Sequence, residues 1–209
     1  FEIARKQCGL EPLPEAKVPE VDSSSFENLP SLEFFHAPEF VSQRYLKLKE
    51  KGSLSVNFYP FHEPNALVTD PEQRIEIFVR MMPECRFAAI IGERLDRQVN
   101  PAELYDRVSL MLNARGISFV EVINDAADPL GIDFICNAGF IPCAYFPGFK
   151  KQGEERRDYV IMARTFERLV GSTAGHRLVN PLYLDYLAEF YRLDERLHLE
   201  RLKRQCEIT

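Results

Sequence analysis

Three side chains in the second half of the chain have the types and positions to do chemistry. Glu121 lies in the run Ile117 to Ile123, which alternates as a strand should. A carboxylate raised in pKa by burial there can act as a general base, directly or through a water. Asn124 follows at the strand end, where an amide can orient a ligand. Tyr145, within a predicted strand from Phe140 to Phe146, offers a phenol that can donate a proton. Each has a plain structural alternative. Glu121 can face solvent, as most carboxylates do. Asn124-Asp125 can simply cap the strand, and Tyr145 can be half-buried packing with its hydroxyl satisfied at the rim. Cys136 and Cys143 have no histidine or basic residue within a few positions and read as inert core thiols.

The elements that must position these residues follow from periodicity and punctuation. Glu39 to Lys51 reads as a helix, with Phe40, Val41, Tyr45 and Leu48 roughly on one face and Gly52 as its stop. Leu54, Val56 and Phe58 alternate, Asn65 to Thr69 is a short strand, and Ile75, Ile77, Val79 and Met81 point one way from a strand over Arg74 to Met82. Phe87 to Ile91 is a continuous apolar run, expected of a strand covered on both faces. Asn100-Pro101 pairs an N-cap with a proline at the first helical position, and Gly116 ends that helix. Asp128-Pro129 repeats the signal for a short helix ending near Gly139. Gly148 to Arg157 reads as a mixed-charge loop holding Lys150, Lys151, Arg156 and Arg157, and Tyr159 to Ala163 is the last strand. Asn180-Pro181 opens a C-terminal helix carrying Tyr183, Tyr186, Leu187, Phe190, Tyr191 and Leu197.

Composition narrows the class. The hydrophobic and charged fractions, 45% and 28%, are those of a soluble globular protein. No apolar run approaches the roughly 18 residues of a membrane span. A net charge of -6 argues against a general nucleic-acid binder. The five cysteines are odd in number and contain no Cys-x-x-Cys pair, so reduced thiols in a cytoplasmic setting are expected. The histidines form no zinc spacing, and no metal is expected. The prolines and serines before residue 32 suggest an arm or linker over 1–31, followed by one α/β domain over 32–168 and a helical extension over 169–209.

The order strand, helix, strand, helix, strand, strand from Arg86 to Phe166, preceded by three strands, resembles the core of the GNAT family of N-acetyltransferases. The passage Asn137-Ala138-Gly139-Phe140 is similar to that family's lysine-leucine-glycine-phenylalanine turn from short helix to penultimate strand. The resemblance covers about Leu54 to Phe166. It implies an acetyltransferase-like mixed sheet with flanking helices, to which the N-terminal arm and the C-terminal helix are added. It also implies an N-acyltransferase using acetyl-CoA or another acyl-CoA, with a small-molecule or protein amine as acceptor. Backbone groups of Ile90, Ile91 and Gly92 would hold pantetheine. The turn from Arg97 through Asn100 to Ala102 would hold pyrophosphate. Glu121, Asn124 and Tyr145 would assist attack, and the charged loop would border the acceptor site. Two positions depart from the family. Asn100 stands where its first loop glycine belongs, with Pro101 removing an N–H. Ile135 stands where a tyrosine serves as acid. A non-catalytic binding or scaffold module built on the same frame is the rival reading. The aromatic stripe of the C-terminal helix suits its own domain, an adjoining domain or self-association.

Overall fold

The computed structural model describes residues 2–12, 17–56, 62–167 and 184–207. A mixed, eight-stranded sheet forms its centre. A six-residue helix α1 (Glu2–Gln7) precedes β1 (Glu33–His36) and α2 (Pro38–Glu50). Next come β2 (Ser55–Val56), β3 (Ala66–Thr69), β4 (Ile75–Met82) and β5 (Phe87–Leu95). The second half runs α3 (Pro101–Asn113), β6 (Phe119–Asp125), α4 (Pro129–Asn137), β7 (Ile141–Gln152) and β8 (Glu155–Thr165). Helix α5 (Leu184–Glu207) lies against β7. The sheet order is β1-β3-β4-β5-β6-β8-β7, with β2 beside β5. This is the mixed α/β sheet with flanking helices that the element order implied.

Capping explains the two central helices. The Asn100 side chain accepts from the Ala102 N–H at 2.9 Å, and that of Asp128 accepts from the Gly131 N–H at 2.9 Å. Proline follows each cap, where the missing N–H costs nothing. At the end of α4 the chain reverses through Gly139, whose φ of 84° suits a residue without a Cβ. There Phe140 N–H returns to the Ile135 carbonyl at 3.2 Å, which launches β7.

Two apolar layers hold the sheet. On one face, Ile75, Ile77, Val79, Ala88, Ile90, Val120, Val122, Val160 and Met162 pack under Leu104, Val108 and Leu112 of α3 and Ile135 of α4. On the other, Leu67, Phe78, Ala89 and Ile91 meet Val41, Tyr45 and Leu48 of α2. Alternation along β4 is therefore not an apolar-in, polar-out pattern, for both of its faces are covered. Glu76 lies inside with them, 1% exposed.

Several elements differ from the sequence reading. The expected loop from Gly148 to Arg157 is mostly hairpin: Lys150 pairs with Arg157, Lys151 with Arg156 and Gln152 with Glu155. Its side chains are charged because this end of the ladder extends beyond the core. β5 continues past its apolar run through Glu93 and Arg94 to Leu95. β1, an edge strand, and α1 lie in stretches that carry no periodic signal. Of the strand expected around Leu54, Val56 and Phe58, only Ser55–Val56 is seen, and Phe58 lies outside the described residues. The Asn180-Pro181 start and Tyr183 also lie outside them.

Candidate active site

The sheet opens at one place. β5 and β6 are parallel and keep register from Phe87↔Phe119 to Ile90↔Val122, then part. The separation coincides with a bulge. Val79 of β4 faces Ile90 and Phe78 faces Gly92, so Ile91 is the extra residue. The bulge increases local twist and turns the last part of β5 away from β6. Ile90, Ile91 and Gly92, the residues expected to border a cleft, sit at this fork.

Gly92 is there because space is short. A Cβ on it would lie 3.0 Å from Tyr45 Cε2, 3.3 Å from Leu54 Cδ2 and 3.4 Å from the Ser55 carbonyl oxygen. Tyr45 of α2 crowds it most, followed by Leu54 and Ser55 where β2 starts. Ser55 pairs with Glu93 and Val56 with Gly92, antiparallel, while the other edge of the same two residues pairs with Ile77 and Phe78 of β4. β2 thus lies in the fork, on the edge of β5 that β6 has left.

Glu93, which the sequence reading did not single out, projects toward α3, and the Tyr105 hydroxyl donates to its Oε2 at 2.9 Å. Burial pushes its carboxyl up, and the Tyr105 hydrogen bond opposes that shift only in part. Its signal in the sequence was slight: one carboxylate directly after a strand-like apolar run.

The turn leading to α3 is closed by several contacts. Val99 is buried and bridges to Glu27 of the arm, whose N–H donates to the Gln98 carbonyl at 2.8 Å. Arg97 Nε donates to Glu27 Oε2 at 2.9 Å, and its Nη1 lies 3.9 Å from Asp70 Oδ2. Asn100 has taken the Ala102 N–H, and Pro101 has none. Of the residues expected to hold phosphate, Arg97, Asn100 and Ala102 are together, yet each is engaged within the chain.

The three candidate catalytic residues do not converge. Asn124, Val160 and Tyr145 form a row across β6, β8 and β7, on the face that α3 and α4 cover. Glu121 pairs with Ala89 and Ala163 and faces the opposite side, half-buried. Asn124 Nδ2 donates to the neighbouring Asp125 carbonyl at 3.2 Å, as a strand-end cap would. The Tyr145 hydroxyl donates to Asp158 Oδ2. Arg5 Nη1 lies 3.2 Å from that hydroxyl and 2.9 Å from Asp158 Oδ2, while the Gly148 N–H donates to Oδ1 at 2.7 Å. Burial first, then the Asp158 hydrogen bond, holds the Tyr145 phenol above its ordinary pKa. Cys143 Sγ donates to the Ile161 carbonyl at 3.5 Å. Desolvation and then the charge of Glu121 push its thiol up to about 12. The residue as a whole is exposed, but the upward direction stands on the carboxylate, and such a thiol is no nucleophile at neutral pH.

Acyl-CoA fits this site in part. The fork and the backbone edge of Gly92 and Glu93 suit an extended chain, and Arg97 suits an anion. The α3 turn offers fewer N–H groups than a glycine loop, since Pro101 lacks one and Asn100 has engaged another.

No family model matches the sequence, and no curated protein sequence matches it. Solved structures that it resembles include the ribosomal-protein-S18-alanine N-acetyltransferase from Escherichia coli, at 12% identity over 68% of this chain and 98% of that one, with a TM-score of 0.49. A variant of the spermidine N-acetyltransferase from Vibrio cholerae aligns at 12% identity over 64% and 93% of the two chains, also with a TM-score of 0.49. At these values the likeness says nothing about substrate or mechanism, and the fold assignment rests on the sheet order itself.

Proposed function

We propose that this chain is an acyl-CoA-dependent N-acyltransferase, transferring an acetyl or similar group to an amine. The observation that carries the reading is the fork: a parallel pair that parts at Ile90 and Val122, at a bulge on β5, next to the capped start of α3. Ile90, Ile91 and Gly92 would align the pantetheine arm along β5, and Arg97 with the remaining α3 amides would meet its phosphates. When bound, acyl-CoA supplies an activated thioester carbonyl. α3 lies on one face of the sheet, so a chain anchored there and threading the fork presents its far end toward the opposite face. Glu121 lies on that opposite face and can take a proton from an incoming ammonium, directly or through water. Glu93 projects toward α3 and, with its carboxyl raised by burial, can donate a hydrogen bond to the pantetheine arm on that side of the fork. Tyr145 and Asn124 lie farther along the other face and serve better as positioning residues than as acids. Holding amine and thioester together supplies much of the rate in such a reaction. Four described cysteines are free thiols, which suits the cytoplasmic location expected above.

Calorimetric titration with acetyl-CoA tests this. Saturable binding in the micromolar to roughly millimolar range is expected, and Arg97→Glu should abolish it. A flat titration up to about 10 mM overturns the reading. The closed α3 turn, with Glu27 on Arg97, favours a second reading in that event: a non-catalytic module whose frame binds another domain or protein.

A further inference from the structure

We infer that the chain occupies its own acyl-CoA cleft with two internal stand-ins, and that acyl-CoA binds only by displacing them. The inference rests on the acyl-CoA reading above. Its grounds are two observations at separate points of the cleft.

The first is β2. A strand edge released by a fork carries unsatisfied backbone groups, and an extended ligand can pair with it as an added strand. Here Ser55 and Val56 already pair with Glu93 and Gly92 in that place. Among the described residues the pairs are these two, and β2 is joined to no other strand of the sheet, so releasing it from β5 breaks no second ladder. Leu54 and Ser55 are also two of the three groups that a Cβ on Gly92 would meet, so the segment lies close against β5 there.

The second is Glu27. It belongs to the arm, seventy residues from Arg97 along the chain, and its carboxylate sits on the Arg97 guanidinium at the start of the α3 turn. A carboxylate on an arginine beside a helix start occupies the place an anionic ligand would take. The arm is held there by the Glu27 backbone as well, through Gln98 and Val99. The Arg97 and Glu27 side chains are 21% and 47% exposed, so this pair can open without disturbing the core.

A ligand competing with internal contacts binds with an apparent Kd raised by the inverse of the open fraction. Weakening either stand-in should therefore tighten acetyl-CoA. The test compares the full chain with Glu27→Gln, with Ser55→Pro/Val56→Pro, and with the triple variant, using acetyl-CoA as the probe. Proline removes the strand N–H groups, and a melting curve checks that each variant folds. Each alteration should lower Kd about fivefold, the value of one net hydrogen bond, and the two should multiply. Amide exchange should quicken in the proline variant at whichever of Gly92 and Glu93 donates toward β2, while the other, facing β4, keeps its protection. In the unaltered chain, saturating acetyl-CoA should strip protection from residues 55 and 56. Equal affinities across folded variants overturn the stand-in inference and leave the acyltransferase reading intact. No binding by any variant overturns both. Tighter binding by Glu27→Gln alone, with residues 55 and 56 still protected in the complex, overturns the displacement of β2.

Discussion

Two carboxylates, one on β4 and one on β8, are both held by arginines, and they differ in everything else. Glu76 is enclosed, its side chain 2% exposed, gripped by Arg44 at 2.8 and 3.0 Å and approached by Arg94 at 2.9 Å. Asp158 is at the rim, 24% exposed, with one arginine, a phenol and one backbone N–H. The difference lies in the surroundings. α2 closes over β4, so removing any partner of Glu76 strands charge away from water. Water reaches Asp158, so its partners are replaceable. Glu93 stands between these cases: it lies in the fork with a hydroxyl for a partner, and burial raises its carboxyl.

Substitutions can break this ordering. Glu76→Ala leaves two arginines, each at least three-quarters covered, without their shared carboxylate. It should cost about 3 kcal/mol in urea unfolding, at the low end for a broken buried pair because both arginines reach some solvent. A loss under about 1 kcal/mol would place Glu76 with the rim carboxylates. Glu93→Gln should act oppositely. A carboxyl whose folded pKa lies above its unfolded value of about 4.3 favours folding when protonated. That contribution is full below the unfolded pKa and is lost as pH rises through the folded one. The glutamine variant should therefore melt higher than the parent at neutral pH, with the gap closing toward pH 4. A gap that widens on acidification would mean that Glu93 is stabilised as the carboxylate. Arg5→Ala should leave the melting temperature within about 1 °C, because α1 is six residues long and the ion pair is at the rim. Faster exchange at the Gly148 amide, without a change in melting, is the expected trace.

What could be read from the sequence follows a physical line. The Asn100-Pro101 and Asp128-Pro129 caps, the Gly139 turn and the strand at β4 are local signals, and each lies where the residues placed it. β1 was hidden because four residues, Glu33 to His36, on an outer edge show no alternation of burial. The two strands of the β7–β8 hairpin were legible, but its outer end from Lys150 to Arg157 was hidden because a ladder outside the core carries charge on both faces and so reads as loop. The site suffered most. Glu121 and Asn124 are near one another along the chain, but they differ by an odd number of residues, and the strand's period of two sends them to opposite faces. The contacts that define the fork, Ser55 with Glu93 and Glu27 with Arg97, join distant segments, and no local pattern announces them.

The parallel joint between β5 and β6 has a kinetic consequence. Its four register pairs are the one parallel ladder among the named strands, and it alone ties the antiparallel strands before residue 96 to those after residue 118. On either side, β3–β4, β4–β5 and β7–β8 are hairpins that close over short loops. Such hairpins carry low contact order and collapse early, whereas a parallel joint must wait for its crossover helix to be in place. The fork therefore belongs with β6–β8 and β1–β3 to the non-local part of the sheet, which forms after its hairpins.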